Sequence, residues 1–234
     1  MTLSLDWGKE NPVAHRGLFN NSAGIPENSL KAFEMAASAG YPIETDIRIL
    51  PCGTLVLFHD EELTRMAGNP GSIHDAEYKN IAGLKLLKTE EGIPTFAEML
   101  SVVNGRVPIM IELKNENKVA GLGEAIVENL KGYGGICSVH SFDPDDVAWF
   151  ADNVPTIMRG MVFERFTEEE FAYAERIAEP DFMVFYTGNL PADKVERCRD
   201  SGRPVLAYTS RSEKEHSEML KVCDNVVFEG YRPR

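Results

Sequence analysis

The 234-residue chain has little of several features that would assign a protein to a class at once. It has only four cysteines, which are far apart and never form a Cys-x-x-Cys pair: Cys52, Cys137, Cys198 and Cys223. This spacing favours buried or half-buried free thiols in a reducing compartment over disulfides or a soft-metal site. No apolar run approaches the ~18 residues of a membrane-spanning helix. We therefore expect a cytoplasmic protein with no stable membrane insertion.

Positive charge is also scarce, since 24 Lys and Arg residues stand against 37 Asp and Glu residues, for a formal net charge of -13. Such a charge repels nucleic acids and anionic membranes, so we expect neither as a partner. It does not exclude a small anionic substrate, because a metal ion and a few local cations reverse the sign in one pocket. The N-terminal stretch MTLSLDWGKENP lacks the apolar core of a signal peptide. Nothing in the sequence indicates an oligomeric state.

Glycine-rich nucleotide-binding motifs are missing too. No Gly-x-Gly-x-x-Gly follows the first predicted strand, and no Gly-x-x-x-x-Gly-Lys-Ser/Thr occurs anywhere. Dinucleotide-binding and P-loop functions therefore lose their main support.

What the sequence has is a regular alternation of strands and helices. The later strands begin roughly every 20–25 residues, a spacing typical of strand–helix units in a parallel sheet. Eight such units in a chain of this length favour a closed (β/α)8 TIM barrel over an open doubly wound sheet. Besides a hairpin partner at 54–60, the predicted strands are 11–17, 42–50, 107–114, 136–141, 156–163, 182–187, 204–209 and 225–229.

Capping signals mark where several helices begin. An Asp-Pro pair at 143–144 supplies an N-cap and a first-turn proline. Segment 61–92 differs, because it has glycines and no sustained periodicity. We predict one domain over 1–234 with a small insertion at about 61–92. Three predicted capping boxes pair a hydroxyl with a glutamate three residues later: Thr95 with Glu98, Thr167 with Glu170, and Ser212 with Glu215.

The stretch IETDIRILPCGTLVLFHD, at 43–60, carries the first chemical signal. Glu44 and Asp46 lie two residues apart in a predicted strand, so they point to the same side about 6.5–7 Å apart. Like charges that close repel each other unless a cation lies between them, and a hard divalent ion prefers oxygen ligands. Glu112 at the end of the next barrel strand adds a third carboxylate. We predict that these three side chains bind Mg²⁺ or Ca²⁺.

Cationic and imidazole side chains also lie at the ends of predicted strands. Arg16 and Lys114 are predicted to bind the phosphate oxygens of an anionic substrate, Arg as a fork and Lys as a point charge. His15 and His59 suit general acid and general base roles near neutral pH. In a (β/α)8 barrel, the C-terminal ends of the strands form the active site.

The other histidines are less informative. His74 and His216 lie in polar stretches and are predicted to be surface residues. His140 ends a predicted strand beside Ser141, where it lines the pocket or packs structurally; the sequence leaves both alternatives open.

Several of these residues lie in motifs that resemble the glycerophosphodiester phosphodiesterases, in order and at the family's spacing. The resemblance is specific from about Val13 to Lys114 and weaker toward the C-terminus, where SFD (141–143) and LAYTS (206–210) are similar to later family strands. The motifs are AHRG (14–17), PENS (26–29), ETD (44–46), FHD (58–60), IPTFAEML (93–100) and IELK (111–114).

The resemblance implies a TIM barrel with a small insertion after the His-Asp hairpin. It also implies hydrolysis of a glycerophosphodiester to glycerol 3-phosphate and an alcohol with a divalent cation. Carried over residue by residue, it implies that His15 and His59 are the acid–base pair, that Arg16 and Lys114 contact the phosphate, and that three carboxylates bind the metal: Glu44, Asp46 and Glu112.

The sequence departs from the family at two positions. Tyr208 stands where a Trp is common, and Phe-Glu-Gly at 228–230 replaces a common Thr-Asp. The departures bear on substrate preference. Two alternative functions stay open: a phospholipase D-like or cyclising activity on lysophospholipids, and a non-catalytic barrel that binds phosphoesters. The sequence does not assign the acid and base roles between the two histidines.

Overall fold

The computed structural model describes residues 11–233, which form two compact units. One, here the N-terminal unit, comprises Arg16–Ile136; the other, here the C-terminal unit, comprises Met1–His15 and Cys137–Arg234. The expectation about a signal peptide concerns mostly residues 1–10 and lies outside the described residues.

Strands and helices alternate along both units. The strands are β1 (Val13–Ala14), β2 (Ile43–Ile49), β3 (Leu55–Leu57), β4 (Ile109–Leu113), β5 (Cys137–Ser141), β6 (Met158–Phe163), β7 (Phe182–Tyr186), β8 (Val205–Ser210) and β9 (Asn225–Phe228). The α-helices are α1 (Leu30–Ala39), α2 (Thr64–Ala67), α3 (Tyr78–Ile81), α4 (Phe96–Val103), α5 (Leu122–Leu130), α6 (Pro144–Asn153), α7 (Glu168–Ala178), α8 (Ala192–Asp200) and α9 (Glu213–Met219).

In the N-terminal unit, β2 is the central strand. It pairs in parallel with β4, which sets Asp46 beside Glu112, and it pairs antiparallel with the hairpin strand β3. Every residue of β2 is buried, although three of the seven are charged. A strand this polar can be buried only if its charged side chains are paired with other charged or polar groups.

In the C-terminal unit, six strands pair in parallel in the order β1-β9-β8-β7-β6-β5. Their helices pack a core against them that is rich in aromatic and sulfur-containing side chains. The rings of Phe163 and Phe185 stack with centroids 5.5 Å apart, and Phe171 of α7 packs beside both. This apolar packing fixes the strands whose C-terminal ends carry polar residues.

Eight parallel strands with flanking helices over residues 11–233 make the fold a (β/α)8 TIM barrel. The fold predicted from the sequence is confirmed, and the doubly wound alternative is set aside. The observed strands lie inside the predicted ranges or within one residue of them. β1 differs most, because only two residues of the predicted 11–17 form ladder bonds before the chain turns at Arg16.

Two of the three predicted capping boxes form in full, and the third forms only in part. Thr95 with Glu98 and Thr167 with Glu170 form reciprocal capping boxes, and Asp143 caps α6 with Pro144 in the first turn. At α9 the predicted box is only half formed. The Ser212 hydroxyl accepts from the backbone of Glu215, but the Glu215 carboxylate accepts from the Arg211 amide, one residue before the cap.

Segment 61–92 forms short helices packed on a core of its own in the N-terminal unit. Leu63, Met66, Ile73, Ile81 and Leu86 are buried together with apolar residues of the β2–β3 hairpin. The sequence showed no periodicity here because each helix is a single turn. That the segment is an insertion in one continuous domain stays a prediction.

Residues 11–233 also bear on the predictions about the cysteines and about membrane-spanning helices. All four cysteines are free, but Cys52 is exposed in the hairpin turn, so the expectation that all four are buried or half-buried is wrong there. Cys52 lies in the turn between β2 and β3, where its thiol is 3.3 Å from the Thr54 hydroxyl. None of the described helices is both long and apolar enough to cross a membrane.

Candidate active site

Three carboxylates meet in the N-terminal unit: Glu44 and Asp46 from the first half and middle of β2, and Glu112 from near the C-terminal end of β4. Glu44 and Asp46 are 2% and 1% exposed, and Glu112 is 9% exposed. The parallel register sets Asp46 directly beside Glu112. The structure therefore brings together the three residues that the sequence predicts as metal ligands.

The electrostatics of Glu44 reflect this crowding. Burial raises the pKa of its carboxyl well above the usual range, the charges of Asp46 and Glu112 raise it further, and Arg16 opposes the shift. Loss of hydration and like-charge repulsion both disfavour the ionised form. The cluster thus holds more negative charge than its own protein surroundings balance.

Arg16 and Lys114 supply the cations. The Arg16 amide donates to Glu44 Oε2 at 3.0 Å, and its guanidinium lies 3.2 Å from Asp46 Oδ2. Lys114 Nζ lies 3.6 Å from Asp46 Oδ1 and in contact with Glu112 Oε1. For Lys114, burial alone lowers the pKa, but the charges of Glu112 and Asp46 outweigh it and raise the pKa overall. Both cations therefore stay charged beside the cluster.

The turn after β1 is shaped for this contact. Arg16 has φ 52°, a left-handed conformation that is uncommon for a residue with a side chain, and Gly17 follows with φ 80°. A Cβ at Gly17 would lie 2.9 Å from the backbone carbon of Ala32 in α1. Only glycine therefore lets the chain pass this close to the helix while Arg16 reaches the carboxylates.

The sequence assigned no role to Asn28, which the structure places in the cluster. Its side-chain amide donates to Asp46 Oδ2 at 2.9 Å and accepts from the Thr45 hydroxyl at 2.8 Å. Its φ is 52°, which Asn tolerates better than most residues. Asn28 lies in the PENS motif, and this was the one indication of its importance in the sequence. The motif alone does not say which group the Asn28 amide contacts.

His59 follows β3, the strand that pairs antiparallel with β2. The chain leaves β3 with the Phe58 amide donating to the Asp46 carbonyl at 3.1 Å. His59 Nδ1 lies 2.8 Å from Asp60 Oδ1, and the Asp60 carboxylate accepts from Arg65 Nε at 2.6 Å. Burial opposes the shift, but Arg65 and then His59 lower the pKa of Asp60 to about 2.

A buried arginine fixes the backbone at His59. Arg48 is 2% exposed, and its guanidinium donates to the carbonyls of Phe58 and His59 at 3.1 and 2.6 Å. It also contacts Glu116 at 2.9 Å and the His74 ring at 3.2 Å. The prediction that His74 is a surface residue is therefore wrong, because Arg48 and the core under segment 61–92 half-bury it.

In the C-terminal unit, His15 follows β1 and contacts Glu229, which follows β9. The two strands pair in parallel, and the His15 amide donates to the Phe228 carbonyl at 2.9 Å. His15 Nδ1 lies 2.5 Å from Glu229 Oε2, and Glu229 Oε1 accepts from Arg211 Nε at 2.8 Å. The Phe-Glu-Gly departure noted in the sequence thus lies against a predicted catalytic histidine.

The two remaining histidines also lie in the C-terminal unit. His140 ends β5 and is 2% exposed. His216 was predicted to be a surface residue and is instead half-buried, with Nδ1 2.9 Å from the Tyr231 hydroxyl. Burial lowers its pKa. The prediction failed because Tyr231, 15 residues further on, folds back over α9.

The donor set of the N-terminal unit fits a hard divalent ion. Three buried carboxylates on two paired strands offer only oxygen ligands, and such ligands suit Mg²⁺ or Ca²⁺ rather than a soft metal. Burial first, and then the charges of Asp46 and Glu112, raise the pKa of Glu44, and a bound cation would stabilise the ionised carboxylates against both effects.

Buried carboxylates and nearly buried cations lie together on strands of a (β/α)8 barrel, a fold whose enzymes carry their active sites at the C-terminal side of the strands. The model of the glycerophosphoryl diester phosphodiesterase family matches residues 15–228. The chain belongs to this family, and it is an enzyme of the phosphoric diester hydrolase class.

Individual relatives agree with the family match. A glycerophosphodiester phosphodiesterase of Caldanaerobacter subterraneus subsp. tengcongensis is 27% identical over 230 residues, 92% of each chain. One from Bacillus altitudinis is 25% identical over 94% of each chain. A phosphodiesterase structure from Oleispira antarctica, solved in complex with the product sn-glycerol-3-phosphate, superimposes with a TM-score of 0.84 at 24% identity and covers 94% of this chain and 92% of that one.

Proposed function

We propose that the protein is a metal-dependent phosphodiesterase that hydrolyses glycerophosphodiesters to glycerol 3-phosphate and an alcohol. One observation carries the proposal: Glu44, Asp46 and Glu112, on two paired strands, converge with Arg16 and Lys114. The glycerol phosphate bound by the Oleispira relative supports the choice of substrate class. A cytoplasmic location stays a prediction.

The three carboxylates would hold Mg²⁺ or Ca²⁺. When bound, such an ion polarises phosphoryl oxygens and offsets their charge. Asn28 donates to Asp46 Oδ2, and Arg16 forms an ion pair with the same oxygen, so the other oxygen of Asp46 faces Lys114. The carboxylates are therefore held by partners that do not depend on the ion.

Arg16 and Lys114 bind and position the phosphate in this proposal. Both lie nearly buried, where a cation acts on a phosphate oxygen more strongly than in water. Negative charge on the phosphate oxygens increases as the attacking oxygen approaches, so fixed cations favour the transition state over the ground state.

His15 and His59 carry out the two proton transfers of the reaction. One takes the proton of the attacking oxygen, which belongs to water or to the substrate's own glycerol hydroxyl, and the other gives a proton to the departing alkoxide. Attack by the glycerol hydroxyl gives a cyclic phosphate, which water then opens to glycerol 3-phosphate. Each Nδ1 lies against a carboxylate, so each ring would keep Nε2 for the substrate. A positioned general acid or base contributes about 10²–10⁴-fold.

The experiment measures glycerol 3-phosphate release from glycerophosphocholine and glycerophosphoethanolamine. Protein treated with EDTA should lose about 10²-fold or more in rate, and Mg²⁺ or Ca²⁺ should restore it. Asp46→Asn should prevent restoration at the same metal concentration, and His59→Ala should lose about 10²–10⁴-fold with metal present.

Glu90→Gln serves as the matched control, because Glu90 is a fully exposed carboxylate far from β2 in sequence. It should respond to EDTA and metal as the unmodified protein does. Turnover that survives chelation, or a fully active His59→Ala protein, would contradict the mechanism.

A further inference from the structure

The His15 ring is the last member of a chain of three side chains in the C-terminal unit. Arg211, Glu229 and His15 follow three neighbouring parallel strands, β8, β9 and β1, in that order across the sheet. Arg211 Nε donates to one oxygen of Glu229, and the other oxygen lies 2.5 Å from His15 Nδ1. Each carboxylate oxygen therefore has a different partner.

The geometry is fixed at both ends. The backbone amides of His15 and Glu229 each donate to the neighbouring strand, at 2.9 and 3.0 Å. Arg211 is tied by its own amide, which donates to Glu215 Oε2 at 2.6 Å. The His15 and Glu229 side chains are 12% and 18% exposed, so bulk water hardly competes for their contact.

We propose that Glu229 is a positioning residue for His15 and that Arg211 holds Glu229 in place. A carboxylate on Nδ1 requires a proton there, which leaves Nε2 of the neutral ring as the atom that accepts a proton. The carboxylate also stabilises the imidazolium that forms when Nε2 is protonated. The inference rests on the proposed function only in giving His15 a proton to transfer.

The N-terminal unit repeats the same chemistry with different residues. His59 Nδ1 contacts Asp60, and Asp60 accepts from Arg65. Both candidate acid–base histidines thus have an arginine-held carboxylate on the same ring atom. Such a repeat in two unrelated stretches of sequence favours a role in setting the ring over an incidental surface ion pair.

The test compares Glu229→Met, Glu229→Gln and Glu229→Asp with the control Glu218→Gln. Glu218 lies in the same unit, but its carboxylate pairs with Lys221 on the exposed side of α9. Glu229→Met should lower kcat about 10²-fold and change KM less than about 3-fold, because ring orientation matters most in the transition state. Glu229→Asp should recover part of the loss, and Glu218→Gln should match the unmodified protein.

A second measurement reads the ring without turnover. Long-range ¹H–¹⁵N NMR at alkaline pH, with His15 assigned by its absence in His15→Gln, should give the Nδ1–H tautomer in the unmodified protein. Glu229→Met should shift His15 toward the Nε2–H tautomer, and Arg211→Met should loosen Glu229 and give a smaller shift with a loss in kcat of about 3–10-fold.

The outcomes separate the two proposals. If the unmodified protein turns over no glycerophosphodiester, the proposed function fails, and the tautomer still decides the role of Glu229. Full kcat in Glu229→Met, or an unchanged tautomer in that variant, overturns the inference. Should Glu229→Met fail to fold, Arg211→Met carries the same comparison, and an unchanged tautomer there overturns it.

Discussion

At the scale of single residues, the cluster depends on groups that bind other side chains. Asn28 connects Asp46 with Thr45 by one donated and one accepted hydrogen bond. An amide can do both at once, whereas a carboxylate or an ammonium cannot. The position therefore requires a neutral side chain with both a donor and an acceptor, next to three acids.

Sequence reasoning found the groups that carry charge and missed those that hold them. Glu44 and Asp46 were found because residues i and i+2 of a strand share a face. Arg48 was missed, since its partners His74 and Glu116 lie 26 and 68 residues away. Contacts over such distances leave no local pattern, because they depend on how distant segments pack.

Gly17→Ala should destabilise the protein and disturb the Arg16 contact. The substitution combines a positive φ with a Cβ only 2.9 Å from Ala32, and overpacking of this kind costs about 1–3 kcal/mol. Gly53→Ala is the matched control, because its φ of 81° is the same while nothing lies near its Cβ. Urea unfolding should give a larger loss for Gly17→Ala; equal losses would show that the close approach to α1 has no energetic effect.

At the scale of elements, the sequence predicted most strands and helices because each has a local cause. Apolar runs mark the strands, and hydroxyl–glutamate pairs mark the starts of α4 and α7. Two elements were harder. β1 is short because Arg16 turns away from the ladder, and segment 61–92 is helical only in single turns. In both, tertiary contacts outweigh the local pattern.

Thr95→Ala should lower the free energy of unfolding by about 1 kcal/mol. The Thr95 hydroxyl accepts from the Glu98 amide and donates to the Glu98 carboxylate, which also accepts from the Thr95 amide. The change therefore removes both bonds of the hydroxyl and loosens the third. Ser212→Ala is the comparison, since α9 has only the first of these bonds to its cap. The measurement is the midpoint of urea unfolding, and a larger loss in Ser212→Ala would contradict the argument.

At the scale of the whole molecule, acid stability should depend on Arg65. Arg65 contacts Glu27 and Asp60. Burial raises both pKa values, but Arg65, together with Arg16 at Glu27 and His59 at Asp60, lowers them to about 2. A carboxyl with a lowered folded-state pKa stabilises the protein above its unfolded pKa, and this stabilisation is lost as pH falls through the folded value. The loss should fall between about pH 4.5 and pH 2.

The prediction is tested with Arg65→Met. The gap in unfolding free energy between the unmodified protein and the variant should be largest near neutral pH and narrow toward about pH 2. Glu44 has a raised pKa, so its effect on the pH dependence of stability is opposite in sign. Because Glu44 is present in both proteins, its effect does not change the gap in unfolding free energy. Lys221→Met, which breaks only an exposed ion pair with Glu218, should give a small gap. A gap for Arg65→Met that stays constant with pH would refute the prediction.

The alternation of β2 also has a consequence for how the chain assembles. Glu44, Asp46 and Arg48 share one side of the strand, and Ile47 and its apolar neighbours share the other. If β2 slipped by one residue along β4, the ionised groups would exchange sides with the isoleucines, and three charges would enter an apolar layer. Misaligned pairings are therefore strongly disfavoured, so the charged groups of the site also select the correct strand register during folding.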